Sequence, residues 1–439
     1  MSDIAIRRRT MSKVTRRLIP LMIAMFCVNF LDRVNIGFAA LQMNRDLGLT
    51  PEAYGFAAGI LFISYTVFEI PSNLILYHVG PRIWLARILV TWGIIAALNA
   101  LVYDSLSLYV MRFILGAAEA GFFPGLMIYV IAWFPARERA KAVTWLMAGS
   151  PIAVIFGAPL SALILSLDKV WHVAGWQWLF VLEGLPAVVL GILCYTYLTD
   201  RPEGAPWLEP EERAWLARTI ADESRTTQLH SPARVGALFL RGTVWLLALS
   251  KFCVILAFFG VALWLPQIVK SLGTLSTIEI GLITALPNIC AAIGSVLVGR
   301  SSDRSGERTL HIAVPAFVGA LGFMVAWWTA NPYVAMVAIC VASTGIWVSN
   351  TVFWTLPTAL LAGAPAAAGL AFINSVGNMG GFFGPYFTGW IRGSTGSFAL
   401  ALAMLGGWLA LSGLIVLIIG RRVPHPSPEH AIRAVAGDA

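Results

Sequence analysis

Residues 18–41 read LIPLMIAMFCVNFLDRVNIGFAAL, and this run decides the class of fold. A helix rises 1.5 Å per residue, so about 20 apolar residues cross the roughly 30 Å hydrocarbon core of a bilayer. The run is long enough, yet it holds Asp32 and Arg33 side by side. Each ionised group near the bilayer centre costs on the order of 3 kcal/mol on insertion scales, so this pair marks a working position. The basic stretch RRRTMSKVTRR (7–17) precedes the run, as it would precede a signal peptide. The apolar run outlasts an h-region of about 7–15 residues and is expected to stay in the membrane.

The rest of the chain agrees. Of 439 residues, 58% are hydrophobic and 12% charged, and the mean hydropathy is +0.78. Soluble globular chains carry about 25% charged residues, so the expected solvent is a lipid bilayer. The five cysteines show no CxxC and no ligand spacing, which argues against a disulfide framework or a metal site. A net charge of +8 raises the question of nucleic acid, but the basic residues cluster beside apolar segments, where they act as topology signals. Nucleic acid is not an expected partner.

Apolar spans fall near 18–41, 54–77, 83–103, 107–133, 142–167 and 176–199, then near 243–268, 277–299, 310–330, 332–357, 366–391 and 398–420. The expectation is an all-α membrane protein of twelve transmembrane helices in two six-helix bundles. Residues 1–17 form a basic cytoplasmic segment, 18–199 the first bundle, 200–242 a cytoplasmic linker, 243–420 the second bundle and 421–439 a cytoplasmic tail. Nearly all Lys and Arg outside the spans lie on one side, leaving Arg45, Lys169, Lys270 and Arg392 for the other. That bias places both termini in the cytoplasm, in a plasma (inner) membrane. The halves also repeat. Gly80 and Gly306, and Pro159 and Pro385, recur at one offset, and Trp133 and Trp354 at nearly the same one.

The string GRSSDRSGER (299–308) resembles the loop signature of the major facilitator superfamily. The first-half counterpart is degenerate, with Tyr77 and His78 where the Asp-Arg pair would stand. FLDRVNIGFA, FEIPSNL, RFILGAAEAGFFPG, WLFVLEGLPAV, WLPQIVKSLG and AFINSVGNMGGFFGP are similar to strings of its anion:cation symporter family, in particular to the tartrate, hydroxyphenylacetate and phthalate-type bacterial permeases. The resemblance covers about residues 15–420. The fifth span lacks the glycine pair of the antiporter branch, which weakens a drug-export reading.

At 100° per residue, Asn29, Asp32, Arg33 and Asn35 spread over roughly 160° of the first helix, too broad a polar face for lipid and suited to a water-filled cavity. Arg112 and Glu119 share a face of the fourth helix with Gly116 between them. Two turns separate them, so each is expected to reach a neighbouring helix. The four charges cancel when ionised, and protonating both acids leaves two positive charges for an anion to balance. The resemblance implies that Asp32 and Glu119 are proton-coupling sites and that Arg33 contacts a substrate carboxylate; a purely structural ion clamp is the alternative.

Further substrate-binding candidates are Arg112, Tyr65, Asn350, Asn374 and Trp354, the last forming an aromatic wall with Trp347. Lys251 is either a second carboxylate anchor or, as favoured here, a side chain that snorkels to the surface or makes a structural pair. Glu69 is a candidate gate residue bonding helix 11, and Asp303 with Arg304 a cytoplasmic latch. Glu183 reads as structural. Gly121 with Gly125, and Gly380 with Gly384, are small-xxx-small patterns for close helix approach.

The function expected is proton-coupled import of a small organic carboxylate by a monomer, with no cofactor or metal. A uniporter or anion exchanger of the same fold is the nearest rival. A membrane enzyme is disfavoured by the lack of HExxH or a nucleophile–base set, and a membrane sensor by the short linker and tail.

Overall fold

The computed structural model describes residues 3–228, 241–360 and 364–421, and all their regular structure is helical. The first half comprises α1 (Asp3–Asp46), α2 (Pro51–Val79), α3 (Pro81–Leu98), α4 (Ser105–Glu119), α5 (Phe122–Trp133), α6 (Ala136–Met147), α7 (Gly149–Leu165) and α8 (Gly175–Tyr197). A surface helix, α9 (Pro210–Gln228), leads to α10 (Gly242–Ala262), α11 (Leu265–Ser271), α12 (Thr277–Ser305), α13 (Thr309–Trp328), α14 (Pro332–Phe353), α15 (Thr355–Leu360), α16 (Ala364–Thr395) and α17 (Ala399–Gly420). Parts of the expected linker (229–240) and tail (422–439) lie outside the described residues.

Eleven helical segments among the described residues are long and apolar enough to cross a membrane. The twelfth expected span is a helix too, α16, but its glycines and its Asn374 and Asn378 dilute its hydropathy. The repeat is visible in the backbone. Gly80 ends α2 at φ 93° and Gly306 ends α12 at φ 68°, both at a positive φ that favours glycine.

Four expected spans are broken, the tenth of them at Trp354, between α14 and α15. The span at 107–133 divides into α4 and α5 at Gly121, whose φ is 85°. There the Ser72 hydroxyl donates to the Ala120 carbonyl at 2.6 Å, satisfying a group the break frees. A Cβ on Gly121 would collide with Ser72, so this glycine makes a turn rather than a packing groove. Gly125 is the close-approach residue, with a would-be Cβ 2.7 Å from Leu76 Cδ1. The fifth span begins earlier, at Ala136, and breaks at Ala148. The seventh ends at Ala262, because Pro266 starts the short helix α11.

Helices α1–α8 and α10–α17 pack largely within their own groups, which meet along α2 with α16 and α7 with α12. Glycine lets the backbones touch. A Cβ on Gly59 would lie 2.8 Å from Phe382 O, on Gly55 2.6 Å from Pro385 O and on Gly281 2.9 Å from Ala158 O. The Tyr54 hydroxyl donates to Leu263 O at 2.7 Å, and Lys270 donates to Leu41 O at 3.3 Å. All these contacts lie toward the end carrying the α1–α2 loop.

The basic segment 7–17 continues α1 without interruption and docks on α9 and the first turn of α6. Arg7 pairs with Glu138 at 2.7 Å, Lys13 with Glu212 at 2.9 Å, and Arg9 with Glu209; Arg17 covers the Tyr197 ring at 4.0 Å. Burial pushes the Glu212 carboxyl up, but hydrogen bonds from Lys13 and the Glu209 backbone, with the charges of Lys13 and Arg9, outweigh it and hold the group below its usual range. A carboxyl depressed by folding stabilises above its unfolded pKa of about 4.3 and loses that effect as pH falls through the folded value. Acidifying from about pH 6 to about pH 3 should therefore loosen the α1 extension, read as faster amide exchange in residues 3–17. Glu212→Gln should loosen it at neutral pH, and unchanged protection under both treatments would contradict the clamp.

Candidate functional site

The charges expected to converge do so, but they divide into two sets. Arg33 Nε donates to Glu119 Oε1 at 2.9 Å, and the Asn29 amide donates to the same oxygen. The Glu119 side chain is 0% exposed and that of Arg33 15%. The Arg33 guanidinium lies 4.7 Å from the Tyr65 ring centre and 6.0 Å from that of Phe62. Phe62 in turn packs on Phe259 of the other half, with ring centres 4.3 Å apart. Arg33 thus sits beneath the aromatic seal between the halves, on the side away from the glycine contacts.

Asp32 points into its own half. It accepts from the Trp92 indole at 3.0 Å and from the Asn35 amide at 3.3 Å. The polar stripe of α1 is therefore not one cavity-facing surface: Asn29, Asp32 and Asn35 are all buried among helices, and only the long Arg33 side chain reaches outward. Arg112 is 1% exposed and lies within electrostatic reach of both Asp32 and Glu119. Two of its guanidinium nitrogens have no hydrogen-bond partner among the described residues. Gly116 makes this placement possible, since a Cβ there would collide with Ser64 and the Leu61 carbonyl. With α4 pressed onto α2, Arg112 and Glu119 reach α1 from either side of the contact.

Sequence reasoning passed over three members of the network. Trp92 carried no charged neighbour in its span, although a buried indole N–H generally needs an acceptor. Asn29 was placed on the stripe but not paired with Glu119. Glu183, read as structural, is 2% exposed, accepts from the Ser161 hydroxyl at 2.6 Å and lies near Asp32.

In the second half, Lys251 is 4% exposed and donates to Asn350 Oδ1 at 2.6 Å. Its ammonium lies 4.6 Å from the Trp354 ring centre and 5.3 Å from that of Phe353. Snorkelling is thus corrected: Gly377 packs against the lysine stem, and the amide and rings hold its head inside. Asn374 is half-buried and makes no side-chain hydrogen bond among the described residues. The expected aromatic wall is divided, because Trp347 packs on Phe258 and Phe30, at 5.1 and 6.1 Å, while Trp354 serves Lys251. Glu69 is buried, with one oxygen unpartnered, and lies within electrostatic reach of Arg33, with no hydrogen bond to α16 among the described residues. Asp303 pairs within its own loop with Arg308 at 2.7 Å.

Apolar helices in two packed groups, with an ion network enclosed in the first beside the seam between them, define a multi-pass membrane transporter. The chain belongs to the major facilitator superfamily, whose family model matches residues 21–385. It is 44% identical to a putative tartrate transporter of Agrobacterium vitis, over 95% of this chain and 92% of that protein. It is 40% identical to a quinolone resistance transporter of Acinetobacter baumannii, over 92% and 93% of the two chains. It is 38% identical to the putative metabolite transport protein NicT of Pseudomonas putida, over 93% and 94%. Among solved structures, a D-xylose-proton symporter superposes with a TM-score of 0.72 at 18% identity, covering 91% of this chain and 96% of that one. The two share the fold.

The Arg33–Glu119 bond couples the two side chains energetically. Removing one partner of a buried pair strands the other, at a cost of about 3–5 kcal/mol in well-buried cases. Glu119→Gln and Arg33→Gln should each lower the melting temperature in detergent, and the double variant should recover part of the loss. A coupling energy of at least about 1 kcal/mol is expected, and additive losses would contradict the bond.

Proposed function

We propose that the protein is a proton-coupled symporter of the anion:cation symporter family, importing a small organic carboxylate across the inner membrane by alternating access. The observation that carries this reading is that Arg33, the most exposed of the four network charges, is held by a fully buried carboxylate. Protonating Glu119 weakens its hold and frees the guanidinium for a substrate carboxylate, a bidentate partner of matching shape. Substrate and proton then favour each other, as linkage requires. The names of relatives for tartrate and metabolite transport support a carboxylate cargo.

With both termini cytoplasmic, the glycine-sealed end faces outward and the opposite end inward, which makes this an inward-open arrangement. Residues 18–199 and 243–420 act as the two rocking bodies, joined by the linker 200–242. Tyr65 and Arg112 complete the carboxylate site on the first body. On the second, Lys251, positioned by Asn350 and Trp354, serves as a second anchor, with Asn374 available to substrate hydroxyls. In the outward-open state Asp303 and Arg304 latch the cytoplasmic end and Glu69 meets α16.

Proteoliposomes test the coupling. An inward proton gradient should drive accumulation of a labelled diacid such as tartrate, or of another acid from a thermal-shift screen. Asp32→Asn and Glu119→Gln should abolish accumulation yet keep counterflow exchange. Failure of the gradient to drive uptake would leave an exchanger or uniporter in its place.

Lys251→Gln should weaken apparent affinity for diacids by about 10–100-fold, the equivalent of a charge-assisted contact of about 1.5–3 kcal/mol. Equal affinity for a diacid in the variant would remove Lys251 from the site.

A further inference from the structure

The stretch ALWLPQ (262–267) joins α10 to α11, and the cycle above gives it no task. Pro266 has no N–H, so the helix cannot run on through the joint, and carbonyls there need donors from elsewhere. Leu263 is fully buried, which leaves its carbonyl no water. A donor comes from the other half of the molecule: the Tyr54 hydroxyl of α2, also fully buried, reaches Leu263 O at 2.7 Å. From α1, Gly37 makes room for the same oxygen. A Cβ there would lie 2.9 Å from Leu263 O and 3.5 Å from Pro266 Cδ.

The joint itself is fixed to the second half. The Trp264 indole donates to Pro385 O of α16 at 3.0 Å, and its ring meets that of Phe398 with centres 5.5 Å apart. The Tyr54 ring meets Trp264 edge-on, at 4.7 Å. The Leu263 carbonyl thus projects from one half into a socket that Gly37 and Tyr54 build in the other. Two hydrogen bonds cross the seam nearby, from Asn44 Nδ2 to Gln267 Oε1 at 3.4 Å and from Lys270 to Leu41 O at 3.3 Å. Both are longer and nearer solvent, so water replaces them at little cost as the seam opens. The buried bond has no such substitute until the halves have parted.

We propose that the Gly37–Tyr54 socket and the Leu263 carbonyl form the latch that closes the outer end of the transporter. The latch is made while the outer end is sealed and broken when that end opens to water, so it sets the balance between the two states. This rests on the reading of the protein as an alternating-access carrier, and on neither proton coupling nor the identity of the acid.

Pulsed electron resonance reads that balance in purified protein without cargo. Spin labels go on Arg45→Cys, at the outer end of α1, and Ser394→Cys, at the outer end of α16, with the five native cysteines replaced by alanine. Tyr54→Phe keeps the ring against Trp264 and removes only the hydroxyl. Leaving a buried carbonyl unmatched should raise the ratio of long to short distances about tenfold. Gly37→Ala should shift it the same way by pressing on the carbonyl, although alanine suits a helix better than glycine does. Lys270→Met, which loses an exposed bond, should shift it less. A long distance that is present in the unaltered protein but fails to grow in Tyr54→Phe or in Gly37→Ala overturns the latch and leaves alternating access standing. So does a larger shift from Lys270→Met. A single short distance in every variant overturns both readings.

Discussion

The Arg33–Glu119 bond is the constraint around which the N-terminal half is arranged. A buried ion pair is poor evidence of stability, since desolvating two charges offsets most of their attraction. Hydrophobic side chains would hold α1 to α4 at least as well. The backbone has nonetheless been shaped to allow the pair. Gly116 brings α4 against α2, and the Gly121 turn ends α4 directly after Glu119. Asn29 supplies a second donor to the same carboxylate oxygen. Such supports are understandable if the partner of Arg33 must be exchangeable, because a guanidinium released by its acid has to be met by another anion.

The two acids of the network differ in what surrounds them. Glu119 is tied to the one cation that reaches outward, whereas Asp32 is tied to neutral donors, Trp92 and Asn35. Arg112 lies between them with hydrogen-bonding capacity to spare. In a low-dielectric interior a charge change at one acid is felt at the other through that shared cation. In the proposed cycle, the Glu119 carboxylate and the substrate carboxylate compete for Arg33, a proton on Glu119 tips the balance to the substrate, and Asp32 sets the field in which this happens.

The sequence made the helical class, the repeat and the four central charges legible, because lipid penalises charge so heavily that each exception stands out. The helix wheel placed Asp32 and Arg33 on one polar side, but periodicity could not say that side-chain reach would part them. Breaks at Gly121 and Ala148 were hidden because a glycine or alanine in an apolar run is compatible with a continuous helix. For Lys251 the sequence left snorkelling and a structural pair both open for a related reason. Depth along a helix allows snorkelling, and only packing by Gly377, Asn350 and Trp354 shows that the head stays inside. Trp92 lacked any local signal, and Glu183 stood out as a charge without showing what it meets, since the partners of both lie on other helices.

The pseudo-symmetry of the backbone is not matched by symmetry of chemistry. Gly80 and Gly306 end equivalent helices, both at positive φ. The first half nevertheless gathers two cations and two acids, while the second offers Lys251 held by an amide and two aromatic faces. In the proposed cycle, coupling between proton and anion is therefore completed within one body, leaving the other free to move against it. The seal between the bodies suits such motion. At Gly55, Gly59 and Gly281 backbone meets backbone without interlocking side chains, so separation gives up dispersion contacts and a few hydrogen bonds rather than a buried ion pair. The strongest electrostatic bonds lie inside a body and the weakest contacts between bodies, the distribution that rigid-body rocking requires.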